Sequence, residues 1–337
     1  MKIILVLILI FISSTFNSKV PKSFYSLLLG GIREDIVDSA LLNLPKRDSV
    51  DILKMVTLMK DEKEKNSLTD AESAFFIYKW IANNFDIDCY YMIEKEQSDL
   101  ELYKSGKGQP LSFSSLFNRI CSYLKIRSDS ISGYYKAYNT VENYYLHYSE
   151  ISHIYNYIII DNNTYLVDPT LGIGYCDNYY YTKSYSDLYF GTKPEFLIKS
   201  HFPKDDNFQL LKDVITKEQW SSYVFIGRKF YLSGMKNTVP ESENISIRDG
   251  KKIIINYDPV KNDIGILYSR MVFANGSIVY LTDKVNNGVY EIVSTEIKYR
   301  PRNENPMRIE IYRCNRDDQS CIHKDFLVLY HINDWNW

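Results

Sequence analysis

The stretch Ser152-His153-Ile154-Tyr155-Asn156-Tyr157-Ile158-Ile159-Ile160-Asp161-Asn162-Asn163-Thr164-Tyr165-Leu166-Val167-Asp168-Pro169-Thr170 reads as two apolar strands around a polar turn. An antiparallel return of this kind puts His153 at the start of one strand and Asp168 at the end of its partner. Cross-strand neighbours lie close, so the carboxylate can orient the imidazole and tune it as a base. A base held by an acid calls for a nucleophile. The search for that nucleophile leads upstream, to the block Gly106-Lys107-Gly108-Gln109-Pro110-Leu111-Ser112-Phe113-Ser114-Ser115-Leu116-Phe117.

This block resembles the Gly-Lys-x-x-Cys-x-Gly-Tyr-x-x-Leu-Phe block of the transglutaminase-like superfamily, in the branch around kyphoscoliosis peptidase. Further blocks follow in the family's order. They are the helix Ala74 to Asn84, the strand Ile131 to Lys136, the His153 and Asp168-Pro169-Thr170 blocks, Asp187 to Phe190, and Ser200-His201-Phe202-Pro203. Aligned on Leu116-Phe117, the family's nucleophilic cysteine falls on Pro110 and the glycine after it on Ser112. Tyr155 stands where the family usually has Trp. The resemblance implies a Cys-His-Asp site reduced to His153 and Asp168. His201 sits in a family-like block and reads as packing.

The exchange at position 110 keeps the architecture. Proline suits the first helical turn, where its missing N–H has no intrahelical partner. A helix from Leu111 to Cys121 is therefore expected, with Leu116, Ile120 and Leu124 on one face. No neighbour replaces the thiol well. Ser114 faces the same way but one turn deeper, about 6 Å along the axis, and Cys121 lies roughly 16 Å further down. Ser112 points to another side.

The composition bounds what else the chain does. It has 337 residues, 45% hydrophobic, and a formal charge of −2, enough for two domains. Near-neutral charge gives no case for nucleic acid or an anionic membrane surface. Tyrosine is abundant at 30 residues, densest from Tyr175 to Tyr189. A sugar-binding surface is one reading of that density; A/T-rich codon usage, shared with Asn, Ile and Lys, is the one favoured, and no function is assigned.

Lys2 and the apolar run Ile3 to Ile12, followed by Ser13-Ser14-Thr15, read as a signal peptide over residues 1–20, too short to span a bilayer. The expected locale is secreted, with a protein, matrix or cell-surface partner and no membrane span after signal removal. No metal site and no cofactor are expected. The five cysteines include Cys314 and Cys321, whose spacing allows a hairpin-closing disulfide. The pairing of Cys89, Cys121 and Cys176 is open. Asn162, Asn244 and Asn275 begin Asn-x-Ser/Thr acceptors for glycosylation.

The expected fold is α+β: a papain-like transglutaminase core followed by an all-β, Ig-like sandwich. A helical segment, 21–66, uses Ile52, Leu53, Val56, Leu58 and Met59 as an apolar face. The transglutaminase-like domain covers 67–220, with 86–109 read as a polar connection. The sandwich covers 221–337, with short strand-like runs such as Phe230-Tyr231-Leu232, Lys252 to Tyr257 and Met307 to Tyr312. The functional expectation is a secreted pseudoenzyme that binds or scaffolds; the alternative is an acyl-transfer enzyme using a non-standard nucleophile with His153 and Asp168.

Overall fold

The computed structural model describes residues 21–89, 97–141, 145–177, 180–242, 244–247, 252–257, 266–273, 277–281, 283–286, 288–293, 306–314 and 324–335. Two helices lead into the core, α1 (Glu34–Leu42) and α2 (Ile52–Lys65). Asp51 caps α2 by accepting from the Lys54 N–H at 2.8 Å, and the helix buries Met55, Val56 and Met59. Leu53, expected on that face, is 59% exposed. It sits about a third of a turn from the buried stripe, and the 3.6-residue period decides against it.

Thr69 and Glu72 form a capping box at the start of α3 (Asp70–Asn84). This helix is buried on nearly every side, through Ala74, Phe75, Phe76, Ile77, Tyr78, Trp80 and Ile81. The expected polar connection over 86–109 instead carries regular elements among its described residues. β1 (Asp86–Ile87) pairs in parallel with β2 (Lys107–Gly108), and α4 (Asp99–Ser105) lies between them. Ser98 and Glu101 box its N-terminus, and Gly106, at φ 76°, closes its C-terminus in the left-handed region.

Helix α5 (Pro110–Tyr123) follows, with Pro110 at its first helical position as expected. Next come β3 (Arg127–Val141), β4 (Tyr145–Ile160), β5 (Asn163–Val167), α6 (Pro169–Ile173), β6 (Gly174–Asp177) and β7 (Tyr180–Lys183). β8 (Phe190–Thr192), α7 (Pro194–Leu197), β9 (His201–Pro203) and α8 (Lys217–Ser221) complete this half. Five of the strands form one sheet in the order β8-β5-β4-β3-β9, antiparallel at each pairing. Helix α5 packs on β3, β4 and α6. The β4–β5 hairpin is present, but His153 lies well inside β4 rather than at its start, because the strand already begins at Tyr145.

The C-terminal half is rich in antiparallel strands. β10 (Phe225–Ile226), α9 (Lys229–Leu232), β11 (Met235–Val239), β12 (Asn244–Ile247), β13 (Lys252–Tyr257) and β14 (Ile266–Phe273) come first. β15 (Ile278–Tyr280), β16 (Asp283–Asn286), β17 (Val289–Val293), β18 (Pro306–Cys314) and β19 (Lys324–Trp335) follow. One sheet runs β10-β19-β18-β14-β15 with β12 beside β19; the other runs β11-β13-β17-β16. Phe230, Tyr231 and Leu232, expected as strand, form α9 instead. Tyr231 stacks on Phe196 with ring centroids 4.2 Å apart, an anchor between α9 and α7 that a strand's alternation would not supply.

Cys89 and Cys176 form a disulfide that joins the segment after β1 to β6. Cys314 is disulfide-bonded as well, while its expected partner Cys321 lies outside the described residues. Cys121 is a free, buried thiol. Asn162 is exposed in the β4–β5 turn and Asn244 is exposed at the start of β12. Asn275 and the expected signal peptide lie outside the described residues. Among the described residues, no helix is long and apolar enough to cross a membrane.

Candidate functional site

Three strands of the five-stranded sheet, and the turn that ends one of them, bring the site together. In β4, His153 stands opposite Gly133 of β3, and on the other side of β3 Gly133 stands opposite Pro203 of β9. A Cβ on Gly133 would come within 2.4 Å of the Phe202 carbonyl oxygen. Only glycine lets β9 approach this closely, and β9 carries His201 opposite Tyr135. From the other side, β5 ends at Val167 and hands Asp168 to α6 as its N-cap.

Asp168 is the hub. Its Oδ1 accepts from the Leu171 N–H at 3.0 Å, the local bond that starts α6. Its Oδ2 lies 2.6 Å from His153 Nε2 and 3.0 Å from His201 Nε2. All three side chains are buried, with residue exposures of 4%, 0% and 1% for His153, Asp168 and His201. Tyr135, Tyr155 and Tyr189 pack their rings around His201. The pairing of His153 with Asp168 is as the hairpin implies. The reading of His201 as packing is overturned: it is a second imidazole on the same carboxylate oxygen.

Burial alone would raise the Asp168 pKa. The charge and hydrogen bonds of His153 and His201 outweigh it and hold the carboxyl well below the usual carboxylate range. Burial pushes His201 the other way, toward its neutral form, against the pull of Asp168. An ionised Asp168 beside a His201 drawn toward its neutral form meets both directions. Burial also raises the phenol of Tyr189 to about 12, with Asp168 adding to the shift. So one tyrosine of the Tyr175–Tyr189 stretch ends beside the site.

The helix start has a different character. Ser112 Oγ accepts from the Gln109 N–H at 3.1 Å and lies 3.0 Å from Gln97 Oε1. Pro110 is half-buried there and brings neither a side-chain nucleophile nor a backbone donor. Ser114, one turn on, is fully buried and its Oγ is 2.8 Å from Ser130 Oγ. Its carbonyl accepts from Asn156 Nδ2 at 3.2 Å. This hydroxyl belongs to the seam between α5 and the sheet, not to His153. Cys121 is also fully buried, and burial pushes its thiol up to about 12, so it carries little thiolate at neutral pH.

The sequence pattern leads to no metal ligands. Nonetheless, His153, Asp168 and His201 each offer one ligand atom, all within 4.8 Å of one another. The signal for His201 is its place in the Ser200-to-Pro203 block; nothing in its spacing from Asp168 points to contact.

The chain is similar to known proteins over part of its length. The model of the Transglutaminase-like superfamily matches residues 59–169, from the second half of α2 to the start of α6. That span contains Pro110, His153 and Asp168, and ends before His201. Kyphoscoliosis peptidase of Homo sapiens is 28% identical over 193 residues, covering 55% of this chain and 29% of its own length. Hillarin of Drosophila melanogaster is 26% identical over 187 residues, covering 50% of this chain and 22% of its own. Lim and transglutaminase domain protein ltd-1 of Caenorhabditis elegans is 24% identical over 220 residues, covering 61% and 30%. The matched region thus spans less than a third of each of these relatives.

Proposed function

Starting from the transglutaminase-like domain of the kyphoscoliosis peptidase-like branch that this chain carries, we propose that the protein is an exported, catalytically inactive relative that binds or scaffolds a protein, matrix or cell-surface partner. The observation that carries this reading is Pro110 at the first position of α5. In a thiol enzyme of this design the helix start supplies the nucleophile, and its partial positive charge stabilises thiolate. Backbone N–H groups beside a nucleophile also bind the developing oxyanion, and losing one such donor costs roughly 100-fold or more in rate. Proline at 110 removes the thiol and the N–H together.

The surroundings support the same reading. Cys89 and Cys176 are tied to each other, Cys314 is disulfide-bonded, and Cys121 is buried. Ser114 spends its hydroxyl on Ser130. Disulfides favour an oxidising compartment, which agrees with export and with the exposed acceptor Asn162. His153 and Asp168 keep the orienting half of an acid–base site without a group to activate.

Pro110→Cys tests the assignment. The variant should react with a thiol-directed alkylating probe faster than the parent chain, and His153→Ala in the same background should remove the gain. Failure of Pro110→Cys to label would overturn the placement of Pro110. Turnover of a glutamine or peptide substrate by the parent chain, lost on His153→Ala, would overturn the inactive reading.

A further inference from the structure

The cluster around Asp168 is built from more nitrogen ligands than an acid–base remnant needs. Ser200 Oγ lies 2.8 Å from His201 Nδ1 and 3.3 Å from the Leu197 carbonyl oxygen. A hydroxyl has one hydrogen. Given to Leu197, it leaves Ser200 Oγ to accept from His201 Nδ1–H. A neutral imidazole has one N–H, so with that hydrogen on Nδ1 a cation at His201 Nε2 would take the place of the hydrogen that otherwise bonds Asp168 Oδ2 at 3.0 Å. His153 Nε2 faces the same oxygen at 2.6 Å. With Oδ1 occupied by the Leu171 N–H, two ring nitrogens and one carboxylate oxygen converge on a spot that positive charge would satisfy.

We propose that His153 Nε2, His201 Nε2 and Asp168 Oδ2 form a three-ligand site for a zinc-class divalent cation. The three donor atoms already lie within 4.8 Å of one another. A tetrahedral zinc with bonds of about 2.0–2.1 Å holds its ligands about 3.3 Å apart, so the His201–Asp168 gap of 3.0 Å needs to open by about 0.3 Å and the His153–Asp168 gap of 2.6 Å by about 0.7 Å. Two imidazoles and one carboxylate suit zinc, whereas calcium and magnesium favour all-oxygen sets. Three protein ligands leave a fourth position for water or a ligand group.

The supporting shell has the form such a site uses. A metal-ligating imidazole commonly donates its other N–H to a fixed acceptor, and Ser200 Oγ stands there for His201. The Leu171 N–H pins the carboxylate by its other oxygen. The rings of Tyr135 and Tyr155 lie 5.2 Å from that of His201 and fix its orientation. The ligands come from β4, β9 and the β5–α6 turn, so the cation would stabilise the sheet at the edge where β9 joins. The inference stands apart from the inactive reading, since it uses neither Pro110 nor any nucleophile.

Binding of zinc alone, and of cobalt as a visible probe, to the full chain tests it. After chelator treatment and dialysis against micromolar zinc, the chain should retain one equivalent and melt at a higher temperature. Cobalt should give the intense visible bands of a four- or five-coordinate N/O site without a thiolate charge-transfer band. His201→Ala and Asp168→Asn should each weaken binding 10- to 100-fold or more. No retained zinc and no cobalt spectrum would overturn the proposal. Unchanged binding in His201→Ala, or a thiolate band, would overturn it too. Should His201→Ala fail to fold, zinc binding by His201→Gln and the parent chain's cobalt spectrum decide the proposal by the same criteria.

Discussion

Two clusters of buried charge sit in the two halves of this chain, and they differ in what their cations can do. In the first half, Asp168 lies between the imidazoles of His153 and His201. In the second, Glu310 of β18 lies between two guanidiniums, with Arg270 Nε 2.5 Å from Oε2 and Arg308 Nε 2.6 Å from Oε1. Tyr312 adds its hydroxyl to Glu310 Oε2 at 2.9 Å. Arg308, Glu310 and Tyr312 alternate along one face of β18, and Arg270 stands across from Glu310 on β14. Each carboxylate is fully buried. A guanidinium keeps its proton, so the two cations beside Glu310 cannot be switched off and the cluster serves structure. Imidazoles exchange protons or take a metal, so the Asp168 cluster keeps a chemistry even with Pro110 at the helix start.

The contrast is broken or sharpened first at Glu310. Glu310→Gln removes the carboxylate that Arg308 and Arg270 share inside the sheet. It should cost about 4 kcal/mol, because removing one partner of a buried ion pair is strongly destabilising. Urea unfolding reads this as a large fall in midpoint at unchanged slope. A cost under about 1 kcal/mol would mean that water or another carboxylate already serves those arginines.

Asp168→Asn should cost less, about 2 kcal/mol in chelator, although the aspartate is equally buried. Its partners can become neutral and keep part of their hydrogen bonding to the amide, so no stranded charge remains. Chemical denaturation of the two variants side by side is the measurement. Equal costs would remove the distinction between the clusters.

How much of this was legible in the sequence follows the range of the interactions. The β4–β5 hairpin and the start of α5 are local, and the turn Asp161–Thr164 and Pro110 announce them. Helix α4 was equally local: Ser98 and Glu101 spell its capping box, but a polar stretch hid the signal. Phe230-Tyr231-Leu232 misled because a short apolar run has no period long enough to separate strand from helix. The role of His201 was out of reach for another reason. It meets Asp168 only because Gly133 admits β9 to the edge of β3, a contact between residues 33 positions apart in the chain. The Cys89–Cys176 bond, 87 positions apart, is of the same kind.

A third carboxylate lies between the two cases and gives the smallest effect. Glu72 is buried to 2% exposure, yet its cation, Arg33, is half-exposed. The Arg33 hydrogen bonds, with help from the Thr69 N–H and against the cost of burial, bring the Glu72 pKa from an ordinary 4.5 to about 2. A folded pKa below the unfolded one means stability that is present above pH 4.5 and lost as the pH falls toward 2. Allowing for solvent screening of the half-exposed partner, the loss between pH 7 and pH 3 should be about 1 kcal/mol. Unfolding free energies of the parent and Glu72→Gln across that range should therefore converge as the pH drops. Parallel curves would show that the Arg33–Glu72 pair contributes no pH-dependent stability over that range. Convergence would show instead that a cation reached by water protects a buried acid less well than one enclosed with it.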